Sequence, residues 1–247
     1  RSPTSGRLHA LVADHVVQGR VIFPGAGYLE MARVAVAAAL HGISFVQPLA
    51  VEAPGLLIEC AVSDGRFDVR SGEADAVAAA TVHCSGAMAP NDTWQRAELA
   101  AMRGLSRTVD IGALYDGFDS VGLQYGPGYR TLTHAWGGAS DAAARLRARA
   151  THEGTRVHPA DLDDALCLGA VVGESDGGET RLPFAVDDAR LQGATGALWA
   201  VRACCSPFPY ALGMCSRGDS ACPCTRLLVG CGAAGRRGGR SAAWSSS

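Results

Sequence analysis

Ala13-Asp14-His15-Val16-Val17-Gln18-Gly19-Arg20-Val21-Ile22-Phe23-Pro24-Gly25-Ala26-Gly27-Tyr28-Leu29-Glu30-Met31-Ala32 is the stretch from which the fold is read. From His15 to Phe23 the pattern suits a strand, with His15, Val17, Gly19, Val21 and Phe23 on one face and Gln18 and Arg20 on the other. Pro24-Gly25 stops it. From Gly25 to about Leu40 the chain is nearly all apolar, with only Glu30 and Arg33 charged, and Gly42 closes the run. A helix that is apolar almost all round belongs inside a core. Short strand-like runs follow at 43–52, 56–62, 67–70 and 76–87, with a hairpin signal at Ser63-Asp64-Gly65.

A second unit repeats the theme. Residues 90–107 are polar and irregular, as a linker is. A short helix is expected over 111–118 and strands over 129–135 and 143–150. His158-Pro159 introduces another helix, from about 160 to 172, with Gly173 as its stop. Strands at 182–191 and 198–203 complete the set. One buried helix with antiparallel strands around it thus occurs twice, which is an α+β arrangement. The divisions expected are an N-terminal half over 1–90 with its first strand missing, a linker over 91–109 and a C-terminal half over 110–203.

Composition agrees with a globular chain: 247 residues, 48% hydrophobic and 19% charged. A net charge of −2 argues against a broadly basic nucleic-acid binder. No apolar run reaches the ~18 residues of a membrane-spanning helix, and nothing at the start, which begins with Arg1, reads as a leader. The expectation is a cytoplasmic piece of a longer chain that engages neither membrane nor nucleic acid. The basic residues are all Arg. Near Cys204 the composition breaks: Cys204, Cys205, Cys215, Cys222, Cys224 and Cys231 crowd the end, where five Arg face a single acid, Asp219. Residues 204–247 are therefore expected to be an irregular tail, foreign to the domain. Cys222-Pro223-Cys224 lacks the CxxC spacing of zinc sites and no His accompanies it, so no metal site is expected.

Three constellations carry chemistry: His15 to Pro24 as HxxxGxxxxP, Tyr125-Gly126-Pro127, and His158-Pro159-Ala160-Asp161-Leu162-Asp163. Together with the run on to Ala32, they resemble the dehydratase domain of modular polyketide synthases. Tyr125-Gly126-Pro127-Gly128-Tyr129 is similar to its YGPxF element, with Tyr129 for Phe. Residues 158–166 resemble HPALLDAAL, and Leu182-Pro183-Phe184 its LPF step. The resemblance covers roughly residues 8 to 203. It implies a double hotdog fold, α+β, in which each half is a central helix wrapped by an antiparallel sheet. It further implies elimination of water from β-hydroxyacyl thioesters held on the phosphopantetheine of an acyl carrier protein. Neighbouring synthase domains are the other partners implied, a homodimer is one assembly it admits, and no metal, nucleotide or redox cofactor is required.

That elimination needs a base for the α-proton and a group that helps the hydroxyl leave. By resemblance the base is His15, whose unperturbed pKa near ~6.5 suits neutral pH. The matching acid is Asp163. On a helical wheel it shares a face with Leu166, Cys167 and Ala170, while Asp161 points almost oppositely. Burial on that apolar face would raise its pKa, whereas the helix N-terminus would oppose the rise. Two versions stay open: Asp163 protonates the leaving hydroxyl, or it only orients the hydroxyl while His15 shuttles the proton. At Cys167 the resemblance implies Gln or His, and a thiol is a weaker partner. Asp164, where Ala is common, is a smaller departure. Gly25 opens a helix whose free N–H groups could polarise the thioester carbonyl. Gly19 would admit substrate close to the backbone, Pro24 lies between them, Tyr125 would bring its hydroxyl near the pocket mouth, and Gly126 is either a substrate contact or a turn former. The rival readings are a non-catalytic spacer, favoured by Cys167, and a product-template-type cyclase of the same fold.

Overall fold

Two-residue turns of one geometry shape the N-terminal half. In the computed structural model, which describes residues 1–73, 80–89, 107–138, 141–172, 185–191, 198–203 and 226–231, this half runs β1 (Ser2–Pro3), α1 (Arg7–Val12), β2 (His15–Val17), β3 (Arg20–Phe23), α2 (Gly25–Val36), β4 (Ala39–Phe45), β5 (Leu49–Ala50), β6 (Leu56–Ser63), β7 (Arg66–Glu73) and β8 (Thr81–Ala89). Asp64 and Gly65, at φ 47° and 74°, turn β6 back on β7, as the sequence predicts. Gln18 and Gly19, at φ 50° and 77°, do the same between β2 and β3. His15 to Phe23 is therefore a hairpin, not one strand. Val17 faces Arg20 and Val16 faces Val21 across it, so Val21 lies away from His15, contrary to the simple alternation.

The C-terminal half runs β9 (Arg107–Val109), α3 (Ile111–Ser120), β10 (Leu123–Tyr125), a 3₁₀ turn (Pro127–Tyr129), β11 (Leu132–Gly137), β12 (Ala142–Leu146), α4 (Pro159–Cys167), a second 3₁₀ turn (Leu168–Val171), β13 (Ala185–Leu191), β14 (Leu198–Ala203) and β15 (Arg226–Cys231). β9 pairs with β11, so the sheet begins inside the stretch expected to be linker. The rest of that linker, Gly173 and Leu182-Pro183-Phe184 lie outside the described residues.

Among the described residues an 11-stranded sheet runs β1-β6-β7-β8-β4-β13-β15-β14-β12-β11-β9, antiparallel throughout except for β13 with β15. The β4–β13 pairing, with Val186 opposite Ile43, joins the two halves. A four-stranded sheet, β10-β2-β3-β5, crosses between them again. β15 corrects the expectation of a wholly irregular tail. Its Leu227-Leu228-Val229 run suits a strand, and it satisfies backbone groups of β13 and β14 that would otherwise line an open gap. Cys222 and Cys224 lie outside the described residues. No helix among the described residues is long and apolar enough to cross a membrane.

Both central helices are buried as the sequence predicts, and they pack against each other. α2 lays Ala26, Leu29 and Ala32 into a core that includes Ile58, Phe67 and Val69. It ends at Val36, short of the predicted Leu40, because Ala37 turns left-handed (φ 52°) and its N–H closes on the Arg33 carbonyl. At α4, His158 is the cap: its Nδ1 accepts from the Ala160 N–H at 3.1 Å, and Pro159 takes the first helical position. An accepting ring nitrogen must be unprotonated. Burial and the Arg149 charge push His158 down to about 3, so it is.

α4 places three carboxylates inside the protein. Asp161 pairs with Arg149 Nε at 2.8 Å. Asp164 accepts from the Tyr115 hydroxyl at 2.8 Å and from both the N–H and hydroxyl of Thr131 at 2.6 Å. Burial nevertheless pushes Asp164 up to about 7, against those bonds.

Two outcomes are expected. A Cβ at Gly137 would fall on the Val171 carbonyl and 2.7 Å from its Cγ1, so Gly137→Ala should lower the urea midpoint by the equivalent of about 1–3 kcal/mol. Asp164 holds a proton in the folded chain where an unfolded chain has lost it. Its contribution is thus complete below about pH 4 and is lost as pH rises through 7. His158 acts oppositely, its contribution being lost as pH falls from about 6.5 toward 3. Urea midpoints at pH 5 and 7.5 should therefore fall more steeply with pH for the native chain than for Asp164→Asn; equal slopes would refute this account.

Candidate active site

The β2–β3 turn sends the chain back so that the Ile22 carbonyl lies 2.7 Å from His15 Nδ1. A carbonyl can only accept, so Nδ1 carries a proton, and in the neutral imidazole Nε2 is then the nitrogen with the lone pair. Nε2 points at α4, 3.7 Å from Asp163 Oδ2, and both side chains are buried. His15 and Asp163 thus come from opposite halves and are brought together as the sequence predicts. They line a cavity of about 520 Å³ whose walls come from both halves.

The helical-wheel reading of α4 holds. Asp163, Leu166, Cys167 and Ala170 all line the cavity, whereas Asp161 and Asp164 bond elsewhere. Oδ2 of Asp163 has no hydrogen-bond partner. Burial raises the Asp163 pKa, while the charge of His15 and a bond from Tyr125 oppose the rise.

β10 pairs with β2 so that Tyr125 stands directly opposite His15. The rings of Tyr125 and Tyr129 flank the imidazole at centroid distances of 5.6 and 5.5 Å. Tyr125 is 6% exposed, which puts it within the interior rather than at a mouth. Its hydroxyl lies 3.3 Å from Cys167 Sγ, and that thiol is bonded to Tyr125 rather than to Asp163. Burial and the Asp163 charge hold the Cys167 pKa well above its ordinary value, so the sulfur stays protonated.

Three expected substrate contacts are placed otherwise. Gly19 is a turn residue, its N–H bonded to the Gln124 side chain at 2.9 Å; it does not line the cavity, because the hairpin carries it to the tip. Pro24 is the N-cap of α2 and Gly126 opens the 3₁₀ turn, and neither lines the cavity. Gly25 does line it, and a Cβ there would press on the Phe45 ring at 3.2 Å.

Sequence reasoning missed several contributors. Phe45, Gln47 and Pro48 form a wall that His83 steadies: its Nδ1 lies 3.1 Å from the Gln47 carbonyl and its Nε2 2.7 Å from the Ser71 hydroxyl. Glu30, noted only as a charge in an apolar run, is buried and accepts from the Arg156 N–H at 2.6 Å, tying α2 to the loop that leads into α4. A carboxylate in an otherwise apolar helix, paired with Arg33 on that helix at 2.8 Å, was the available signal.

Comparison with known proteins places these features. Residues 1–79 match the family described as polyketide synthase dehydratase domain, and residues 94–205 match polyketide synthase dehydratase N-terminal domain. The chain is 31% identical over 255 residues to polyketide synthase ThaG of Burkholderia thailandensis, covering 94% of this chain and 4% of that protein. It is 33% identical over 210 residues to the mycoketide-CoA synthase of Mycobacterium tuberculosis, covering 79% of this chain and 5% of the relative. It therefore spans only a few per cent of the length of these relatives. Among solved structures, the dehydratase domain from the CurJ module of curacin polyketide synthase superposes with a TM-score of 0.66 at 21% identity, over 81% of this chain and 76% of that one. Matches to both halves, meeting around one shared cavity, give the double hotdog fold its family: the chain belongs to the dehydratase domains of polyketide synthases.

Proposed function

We propose that the domain is a hydro-lyase that eliminates water from β-hydroxyacyl thioesters. The acyl chain would be carried on the phosphopantetheine of an acyl carrier protein and supplied and taken up by neighbouring synthase domains. The observation that carries this reading is the separation of 3.7 Å between His15 Nε2 and Asp163 Oδ2, both buried at one cavity that the two halves line.

Two groups that close cannot straddle a carbon–carbon bond from opposite faces. They can reach an α-hydrogen and a β-hydroxyl on the same face, which makes the elimination syn. His15 Nε2 takes the α-proton, and the electron pair passes into the thioester carbonyl. The first turn of α2, at Gly25, offers backbone N–H groups to that oxygen. The enolate then expels the β-oxygen, which takes the proton of Asp163 and leaves as water. The imidazolium returns its proton to Asp163, restoring the pair. Burial favours a protonated Asp163 at the start, which supports the version in which it acts as the acid rather than as an orienting carboxylate. One proton shared by the pair is the productive state, so activity should fall on both sides of a pH optimum.

Purified domain is expected to convert a β-hydroxyacyl thioester mimic to the alkene, followed by ultraviolet absorbance. His15→Ala and Asp163→Asn should each lower kcat by about 100-fold or more. Turnover by His15→Ala at the native rate would overturn the assignment. Total inactivity of the native domain would favour the spacer reading. Restoring an amide partner with Cys167→Gln is expected to raise kcat by about ten- to a hundredfold; an unchanged or lower rate would show that the thiol does not limit the site.

A further inference from the structure

The Tyr125–Tyr129 turn is held from two directions. Within its own half, arginines grip its carbonyls: Arg130 Nε donates to Tyr125 at 2.8 Å, Arg147 to Pro127 at 3.1 Å and Arg149 to Gly128 at 3.0 Å. From the other half comes Asp14. Its backbone carbonyl accepts from the Gly126 N–H at 2.8 Å, and its carboxylate Oδ2 accepts from the Gly128 N–H at 2.6 Å. Both glycines are required by this contact. A Cβ at Gly128 would lie 2.7 Å from Asp14 Oδ2, and one at Gly126 would overlap the same carboxylate.

Asp14 immediately precedes His15, while the turn it holds carries the two aromatic rings that flank the imidazole. The hydrogen-bonded register that sets Tyr125 opposite His15 ends at this residue. We infer that Asp14 is a positioning residue: by clamping the Gly126–Gly128 turn it fixes His15 and Tyr125 in the facing that catalysis requires. This rests on the reading of His15 as the base. The carboxylate touches none of the reacting atoms; it acts through the Gly128 N–H and the rings beyond it, while the Asp14 backbone carbonyl holds the Gly126 N–H. Rotating His15 or Tyr125 by even an ångström would disturb a proton transfer that depends on alignment.

The test compares Asp14→Ala, Asp14→Asn and Gly128→Ala with the native domain. Melting curves establish that each variant is folded, and Gly128→Ala, which displaces the carboxylate without removing it, provides the same readouts should Asp14→Ala not fold. Asp14→Ala is expected to lose about 10- to 100-fold in kcat with KM nearly unchanged, and Asp14→Asn, which can still accept from the Gly128 N–H, to restore most of it. Independently of activity, ¹⁵N spectra of the His15 ring, assigned by its absence in His15→Asn, should show one Nδ1–H tautomer in the native domain and averaged nitrogens in Asp14→Ala. Full kcat in Asp14→Ala, unaltered ring nitrogens, or failure of Asp14→Asn to restore activity would each overturn the proposal. Absence of alkene from the native domain would instead overturn the dehydratase reading, and the ring spectra would then decide the role of Asp14.

Discussion

The pairing of β2 with β10 is the constraint on which the site depends. It is a short ladder between strands from different halves, extended by the Gln18 N–H to the Gly122 carbonyl and by Gly19 to Gln124. Each such bond contributes only about 1 kcal/mol net. Their importance is geometric, because they decide which side chain of one half meets which of the other. The β4–β13 pairing and the Glu30 tether are further links between the same two halves.

Given that frame, burial assigns the chemistry. Three aspartates on one short helix share nearly the same depth, yet each has a different neighbour. Asp161 has an arginine, Asp164 has three neutral donors, and Asp163 has the imidazole and the Tyr125 hydroxyl to favour its anion. The most poorly compensated carboxyl is the one left facing an apolar cavity, which favours its acid form. Cys167 sits under the same influence and is held as an unreactive thiol.

Much of this was legible in the sequence because the deciding information was local. The spacing of Asp163, Leu166, Cys167 and Ala170 at helical intervals placed them on one face, and the cavity lining agrees. The apolar run after Pro24 announced a buried helix, and Asp64-Gly65 announced a turn. Gln18-Gly19 adopts the same backbone and went unread, because Gln carries none of the turn preference of Asp. Asp14 was silent for another reason: the N–H it holds belongs to Gly128, 114 residues away, and no local pattern reports a partner at that distance. β15 was hidden by composition, lying within a stretch whose cysteines and arginines drew the eye from three consecutive apolar residues.

The tight turn at Gln18-Gly19 also accounts for the intervals at which His15, Gly19 and Pro24 stand. Three residues carry the chain from His15 to the bend and four bring it back to Pro24, so the spacing works as a ruler of backbone length. Losing or gaining one residue on either arm would invert the arm's inward and outward side chains and misdirect the imidazole, even with every chemical group retained. The spacing sets a distance as much as it supplies a set of atoms.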